Sequence, residues 1–358
     1  MENGKQTTIQ SEAKHPTLTM VMPFFNHKEL VAEMVDSIVA NDYEDWELLA
    51  IDDGSQPEEQ TFLRERYKDD KRIRIIARNR EPKGAQTCRN MGLEMARGTF
   101  IIFFDSDDYV APYCLRNRVE SMEKRPELDF MVFRSGTFNS GRFQVEANQD
   151  VCGYPVYKDD LAAFIERTLP FIVWNNIYRT EALRRHGLTW DTSILSYQDS
   201  DFNIQALLHG LKYDYATTQA DYGYRTEGNG GSVSKKIPSE RHRESHLYFL
   251  NKQYDEVQRM YGNRFNRNLY RCALYIYSIS MSAGVDADFA RRLSDIVKSH
   301  DRSRGIILKG KISLSVFLGK FMPVKLARQL PMPVYLVRKL WMYKAVPRHI
   351  RRLLHEGQ

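Results

Sequence analysis

The chain has few cysteines, no long apolar run and almost no acid in its C-terminal tail, and each shortage narrows what it can be. Cys88, Cys114, Cys152 and Cys272 are widely scattered, with no CxxC pair to hold zinc and no dense spacing to form a disulfide framework. A reducing, cytoplasmic setting is expected. No stretch approaches the ~18 apolar residues of a spanning helix. The opening MENGKQTTIQSEAKHP also lacks the apolar core of a signal peptide. Neither membrane spanning nor secretion is expected, and no internal repeat or low-complexity tract interrupts the chain.

What is present is a globular balance. The 358 residues are 42% hydrophobic and 27% charged, enough for a core of roughly 200–250 residues with an appendage. The net charge of +6 conceals an asymmetry: residues 302–358 hold 13 Lys and Arg against the single acid Glu356, whereas the preceding part carries −6. The basic charge therefore belongs to the tail and points to an anionic partner.

Residues 18–22 (LTMVM) read as a buried strand ending at Pro23, residues 28–40 as a helix, and residues 47–51 (ELLAI) as a second strand closed by Asp52-Asp53-Gly54-Ser55. The alternation continues with helices near 57–68 and 84–97, strands at 73–77 and 99–104, a strand at 130–133, and helical patterns near 160–168 and 201–210. Repeated strand–helix–strand units predict an α/β fold with a mostly parallel sheet. Ligands of such sheets bind beyond the carboxyl ends of the strands, where residues 23–26, 52–55 and 105–108 all fall. The glycine-rich segment 227–236 reads as a mobile lid, and 239–300 as helical.

Within FFDSDDY (103–109), carboxylates follow a strand of apolar and aromatic side chains. Asp105 and Asp107 point the same way in an extended segment, an oxygen pair suited to Mg²⁺ or Mn²⁺ that could bridge a diphosphate; an acidic turn capping the next helix is the plainer reading. Asp52 and Asp53 can accept hydrogen bonds from a base or ribose, although Asp-Gly is also an ordinary turn signal. Trp174 offers a face for stacking on an acceptor sugar, or a large ring for the core.

In order and spacing, VMPFFN (21–26), IDDGS (51–55), KGAQTCRNMGLEMARGTFIIFFDSDD (83–108), WNNIYR (174–179), YQDSDF (197–202) and YGYR…GGSVS (222–234) resemble family 2 glycosyltransferases of the GT-A fold. The resemblance spans roughly 17–235. It implies a Rossmann-like, mostly parallel sheet flanked by helices, and an inverting transfer of sugar from a nucleoside diphosphate, UDP first among them, to a glycan or lipid-linked acceptor. By the same resemblance Asp53 contacts the base, with Pro23 in the pocket wall. Asp105 and Asp107 hold the metal and donor diphosphate, Asp107 favoured as the direct ligand, and Arg89 of the Arg-Asn-x-Gly motif binds the donor. The family's Glu-Asp pair stands here as Gln198-Asp199. Asp199 takes the place of the catalytic base, with Asp201 two residues away as its competitor. Arg225, Ser232, Ser234 and Lys235 are suitable diphosphate donors once the glycine-rich loop closes.

The expected parts are a polar tail (1–16), a catalytic domain (17–235) with a nucleotide half (17–110) and an acceptor half with lid (111–235), a C-terminal helical extension (236–300) and a basic amphipathic segment (301–358). In that last segment Val334, Val337, Leu340 and Trp341 share a helical face opposite Arg338 and Lys339. Arg348, Arg351 and Arg352 surround Ile350, Leu353 and Leu354. Peripheral docking on an anionic membrane surface is expected, against packing on the protein's own body. A catalytically inactive nucleotide-sugar binder would not need both a metal pair and a base. A nucleotidyltransferase commonly carries a glycine-rich phosphate loop after its first strand, where this chain has Phe24-Phe-Asn-His27. A nucleic-acid partner would leave the polar strand ends without a role.

Overall fold

The computed structural model describes residues 15–139, 141–144, 152–155, 157–225, 239–280 and 286–318. Strand β1 (Leu18–Phe24) is buried throughout and runs one residue past Pro23, which pairs in register with Ile51 of β2 (Trp46–Asp52). With α1 (Lys28–Val39), α2 (Pro57–Tyr67), β3 (Ile73–Ala77), α3 (Ala85–Met95) and β4 (Phe100–Phe103), they form the expected βαβ series. Apolar side chains on both faces of β1 explain its complete burial. Leu18, Met20 and Met22 enter one core layer with Val31 and Val35 of α1, while Val21 enters the other with Cys88 and Met91 of α3. Gly92 lets α3 approach closely: a Cβ there would lie 2.2 Å from Val21 Cγ1.

The chain continues through β5 (Tyr109–Val110), α4 (Cys114–Glu123), β6 (Phe130–Val132), β7 (Ser135–Asn139) and β8 (Arg142–Gln144), then α5 (Asp160–Ile165), β9 (Asn176–Arg179) and α6 (Thr180–Arg185). Next come α7 (Gln198–Leu208), β10 (Tyr213–Tyr215) and β11 (Tyr222–Arg225). The main sheet has seven strands in the order β10-β6-β9-β4-β1-β2-β3. It is mostly parallel, as expected, except that β9 inserts antiparallel between β4 and β6. A second sheet, β5-β11-β7-β8, is not among the elements expected from the sequence. Its strands are two to five residues long, too short to display a period.

This second sheet is tied to the body by Arg118 of α4 and Asp221, both wholly buried. Arg118 Nε and Nη2 donate to the two Asp221 oxygens at 2.8 and 2.6 Å, and Nη1 donates to the Trp174 carbonyl at 2.8 Å. Such a pair is costly to break, because removing one partner strands a buried charge.

Helices α8 (Glu240–Tyr261), α9 (Asn266–Ser280), α10 (Ala287–His300) and α11 (Arg302–Leu318) make up the helical extension. Leu247, Leu250, Leu269, Leu293 and Leu308 share one apolar cluster with the sheet residues Val21 and Ile101. The extension therefore completes the domain's own core, and the start of the basic segment packs with it through α11. Among the described residues, no helix is long and apolar enough to cross a membrane.

Candidate active site

The polar clusters after β1, β2 and β4 meet on one edge of the main sheet. Asp52 is wholly buried, and its Oδ1 accepts from the Ser55 amide (2.8 Å) and hydroxyl (2.5 Å), closing a turn in which Gly54 takes φ +88°. Ser55 Oγ in turn accepts from the Asn26 amide at 2.7 Å and joins this turn to the end of β1. Asp53 is aimed differently. Its Oδ1 accepts from Arg78 Nε at 2.8 Å and from the Gly84 amide at 3.0 Å. Pro23 is buried beside this turn, and the Lys83 ammonium lies 3.6 Å from the ring centre of the exposed Phe25. Nothing in the sequence marks Arg78 as the anchor of Asp53, since a basic residue after an edge strand resembles any surface cation.

Each signature residue of the Arg-Asn-x-Gly motif has a distinct contact. Arg89 is 3% exposed and crosses the site: Nη2 donates to Asp105 Oδ1 at 2.6 Å, and Nη1 donates to Gln198 Oε1 at 2.9 Å. The guanidinium sits 4.4 Å from the ring centre of Trp190. Asn90 exchanges two hydrogen bonds with the Trp190 backbone, at 2.7 and 2.9 Å, and Gly92 allows the close helix–sheet contact already described. Arg89 is therefore no exposed helix cation. Gln198, standing where the family has glutamate, still supplies Arg89 with an oxygen acceptor.

Burial raises the Asp107 carboxyl above the ordinary carboxylate value, and the neighbouring charge of Asp105 adds to the rise. A desolvated carboxylate with a second carboxylate beside it forms a site that favours a cation. Asp108 instead belongs to the scaffold: it is wholly buried, accepting from the Tyr222 hydroxyl at 2.5 Å and the Arg225 amide at 2.8 Å. Arg225 donates from Nε to the Asp107 carbonyl at 2.6 Å and from Nη2 to Glu33 at 2.7 Å, so its side chain reaches the acidic turn from the second sheet. Ser232, Ser234 and Lys235 lie outside the described residues, as do residues 334–343 and 348–354 of the basic segment.

Helix α7 starts at Gln198, earlier than its apolar pattern indicated, because Tyr197 caps it in the left-handed conformation with φ 72°. Asp199 and Asp201 consequently share its first turn but face different surroundings. Asp199 lies 3.9 Å from Arg89 Nη1 and keeps 32% of its side chain exposed, while its Oδ1 is buried without a hydrogen-bond partner. Burial pushes its carboxyl up to about 6; Arg89 opposes the rise, Asp105 adds to it and Arg167 opposes it. Asp201 is 2% exposed and turned toward α8, where Lys252 Nζ (2.9 Å) and Gln253 Nε2 (3.0 Å) hold it. Trp174 corrects an expectation. Its side chain is 2% exposed and stacks on Tyr222 with centroids 4.4 Å apart, so it fills the core and has no open face for an acceptor sugar.

Residues 19–187 match the family model described as glycosyl transferase family 2. This segment is a family 2 glycosyl transferase domain. Over 196 residues the chain is 30% identical to the uncharacterized glycosyltransferase EpsJ of Bacillus subtilis (strain 168), a match covering 53% of this chain and 56% of EpsJ. Over 225 residues it is 26% identical to the poly(ribitol-phosphate) beta-glucosyltransferase of Bacillus spizizenii, covering 61% of this chain and 33% of that protein. The chain thus spans little more than half the length of one curated relative and a third of the other. The crystal structure of S. aureus TarS 1-349 in complex with UDP-GlcNAc superposes with a TM-score of 0.63 at 16% identity, covering 88% of this chain and 90% of that one. That likeness is one of fold and supports the GT-A architecture.

Proposed function

We propose that this chain is an inverting glycosyltransferase, moving a sugar from a nucleoside diphosphate donor, with UDP as the nucleotide, to a hydroxyl of a glycan or lipid-linked acceptor. The observation that carries the reading is the Arg89 bridge, which links Asp105 of the acidic turn to Gln198 and Asp199 at the start of α7. A donor diphosphate and an acceptor hydroxyl need opposite treatment, and the bridge places the groups for both side by side. Asp199 is the group to take the acceptor's proton: partly exposed, with a carboxyl raised to about 6, it is ionised at neutral pH yet more basic than an ordinary aspartate. Asp201, held by Lys252 and Gln253, supports α7 instead.

Arg89 and Arg225 lie within the site to meet the diphosphate charge, and Asp53 keeps its Oδ2 outside the contacts that fix Oδ1, an acceptor for a base or ribose donor. A UDP-sugar is the donor to test first, since the similarly folded TarS was crystallised with UDP-GlcNAc. Asp107 and Asp105 are the residues that would hold Mn²⁺ or Mg²⁺. Among the described residues no group of three or more His, Cys, Asp or Glu could hold a metal, so an ion held by this pair would need substrate phosphate oxygens and water to complete its shell. Such an ion would neutralise charge on the departing diphosphate.

Incubation with a panel of nucleotide sugars, with and without Mn²⁺, should show sugar-dependent release of the nucleoside diphosphate. Calorimetry should show UDP binding that strengthens with Mn²⁺ and weakens in Asp107→Ala. Metal-independent UDP binding that ignores the substitution would remove the metal assignment.

Docking on an anionic membrane surface has support from α11. Ile306, Ile307, Leu314 and Phe317 are all more than half exposed, at the head of a tail carrying 13 basic residues. Apolar insertion and charge attraction then act together. Full-length protein should float with vesicles containing anionic lipid and lose that binding at high salt; protein that stays in solution with such vesicles removes the membrane partner.

A further inference from the structure

Besides Arg89 and Lys252, a further cation reaches the first turn of α7. Arg167 follows α5 in the left-handed conformation, with φ 67°. The backbone there forms a Schellman end: the Thr168 amide donates to the Ala163 carbonyl at 2.9 Å and the Arg167 amide to the Phe164 carbonyl at 3.0 Å. Glycine is the ordinary occupant of that position, because an L side chain is strained there. An arginine in its place implies that the side chain compensates for the strain.

That side chain is directed at α7. The guanidinium carbon lies 3.7 Å from the ring centre of Tyr197, and Nη1 donates to Ser200 Oγ. These two partners flank Asp199 in the chain, and Tyr197 is the left-handed cap on which α7 begins. Tyr197 also stacks on the buried His246 of α8 at 4.7 Å, and Phe249 of α8 and Tyr275 of α9 each lie 5.9 Å from the guanidinium. Helices of the C-terminal extension thus close around the group that holds the start of α7.

We propose that Arg167 is a positioning residue for Asp199, clamping Tyr197 and Ser200 so that the carboxylate between them faces Arg89 and the acidic turn. This rests on the glycosyltransferase reading above, with Asp199 as base. A misplacement of about 1 Å at a reacting group is enough to cost on the order of 10²-fold in rate. The guanidinium has a second effect, since its charge favours the ionised form of Asp199. The other charged groups around that carboxylate are Arg89 from α3 and Asp105 after β4; on α8, His246 is held neutral by burial, its pKa lowered to about 3, and Lys252 is engaged by Asp191 and Asp201.

The test compares wild type, Arg167→Met and Arg167→Lys in transfer kinetics, each with its UDP affinity measured in parallel. The methionine variant should lose about 10²-fold in kcat with donor KM and UDP affinity unchanged, and the acid limb of its kcat profile should move to higher pH. Lysine, which keeps the charge but not the planar fork, should fall between the two. Wild-type kcat and pH profile in a folded Arg167→Met overturn the inference, as do parallel losses of kcat and UDP affinity. If the methionine variant does not fold, lysine decides: a lowered kcat at unchanged UDP affinity upholds the clamp, and a wild-type rate removes it. A wild type that turns over no nucleotide sugar overturns the transferase reading, and this inference with it.

Discussion

From β3 to β4 the strands run parallel and α1, α2 and α3 connect them in chain order, whereas beyond β4 an antiparallel β9 and a second sheet intervene before α7 is reached. On the first side the carboxylates sit close to strand ends: Asp53 directly follows β2, and Asp105 comes two residues after β4. On the second side the site residue rides on a helix whose start is fixed by distant partners. Asn90 reaches Trp190 across 100 positions, Gln86 reaches the Ile194 carbonyl across 108, and Gln198 meets Arg89 across 109. The donor side is thus set by local pattern, and the acceptor side by remote contacts that must all form together.

The sharpest way to probe this contrast is Asp199→Asn, which keeps the shape and removes proton acceptance. Turnover should fall by roughly 10²–10⁴ with UDP affinity retained, as read from initial rates and calorimetry. Because the wild-type base must be ionised, kcat should also decline about tenfold per pH unit below pH ~6 and level off above it. Stability follows the opposite sign. The folded values of Asp199 and Asp201, both about 6, lie above the ordinary 3.8, so burial favours the native state while they are protonated, and that contribution is lost as pH rises through about 6.

Next in size is Arg118→Met, which leaves Asp221 buried and uncompensated. Denaturant unfolding should register a loss of about 3–5 kcal/mol, and the acceptor side should loosen first, detectable as faster amide exchange in β7 and β11 than in β1 and β2. Equal loosening of both sides would contradict the contrast. The smallest effect on turnover belongs to Asp201→Asn. Lys252 retains Asp191, so kcat should stay near wild type while stability drops by about 1–3 kcal/mol. A large loss of turnover here would make Asp201 the base and Asp199 the support.

Much of the donor side was legible because strand period and turn chemistry act over a few residues. The run of apolar side chains in β1, the turn at Asp52–Ser55 and the abrupt carboxylates after β4 report their own geometry. Helix α7 was less legible: its helical pattern begins near residue 201, and only the left-handed Tyr197 moves its start back to Gln198. The short strands of the second sheet have no readable period and exist through pairing with one another.

By itself, then, the sequence determined an α/β sheet with polar strand ends, the acidic turn and its place after β4, because those depend on near neighbours and on burial of apolar runs. Only the tertiary structure decided that Trp174 is core, that Asp201 faces Lys252 while Asp199 faces Arg89, and that Arg167 grips the start of α7. Two aspartates two positions apart have almost the same local sequence, and the helix turns them to different surroundings about 200° apart; what stands on each side comes from chain segments 50 to 110 residues away, a distance over which no local pattern carries information.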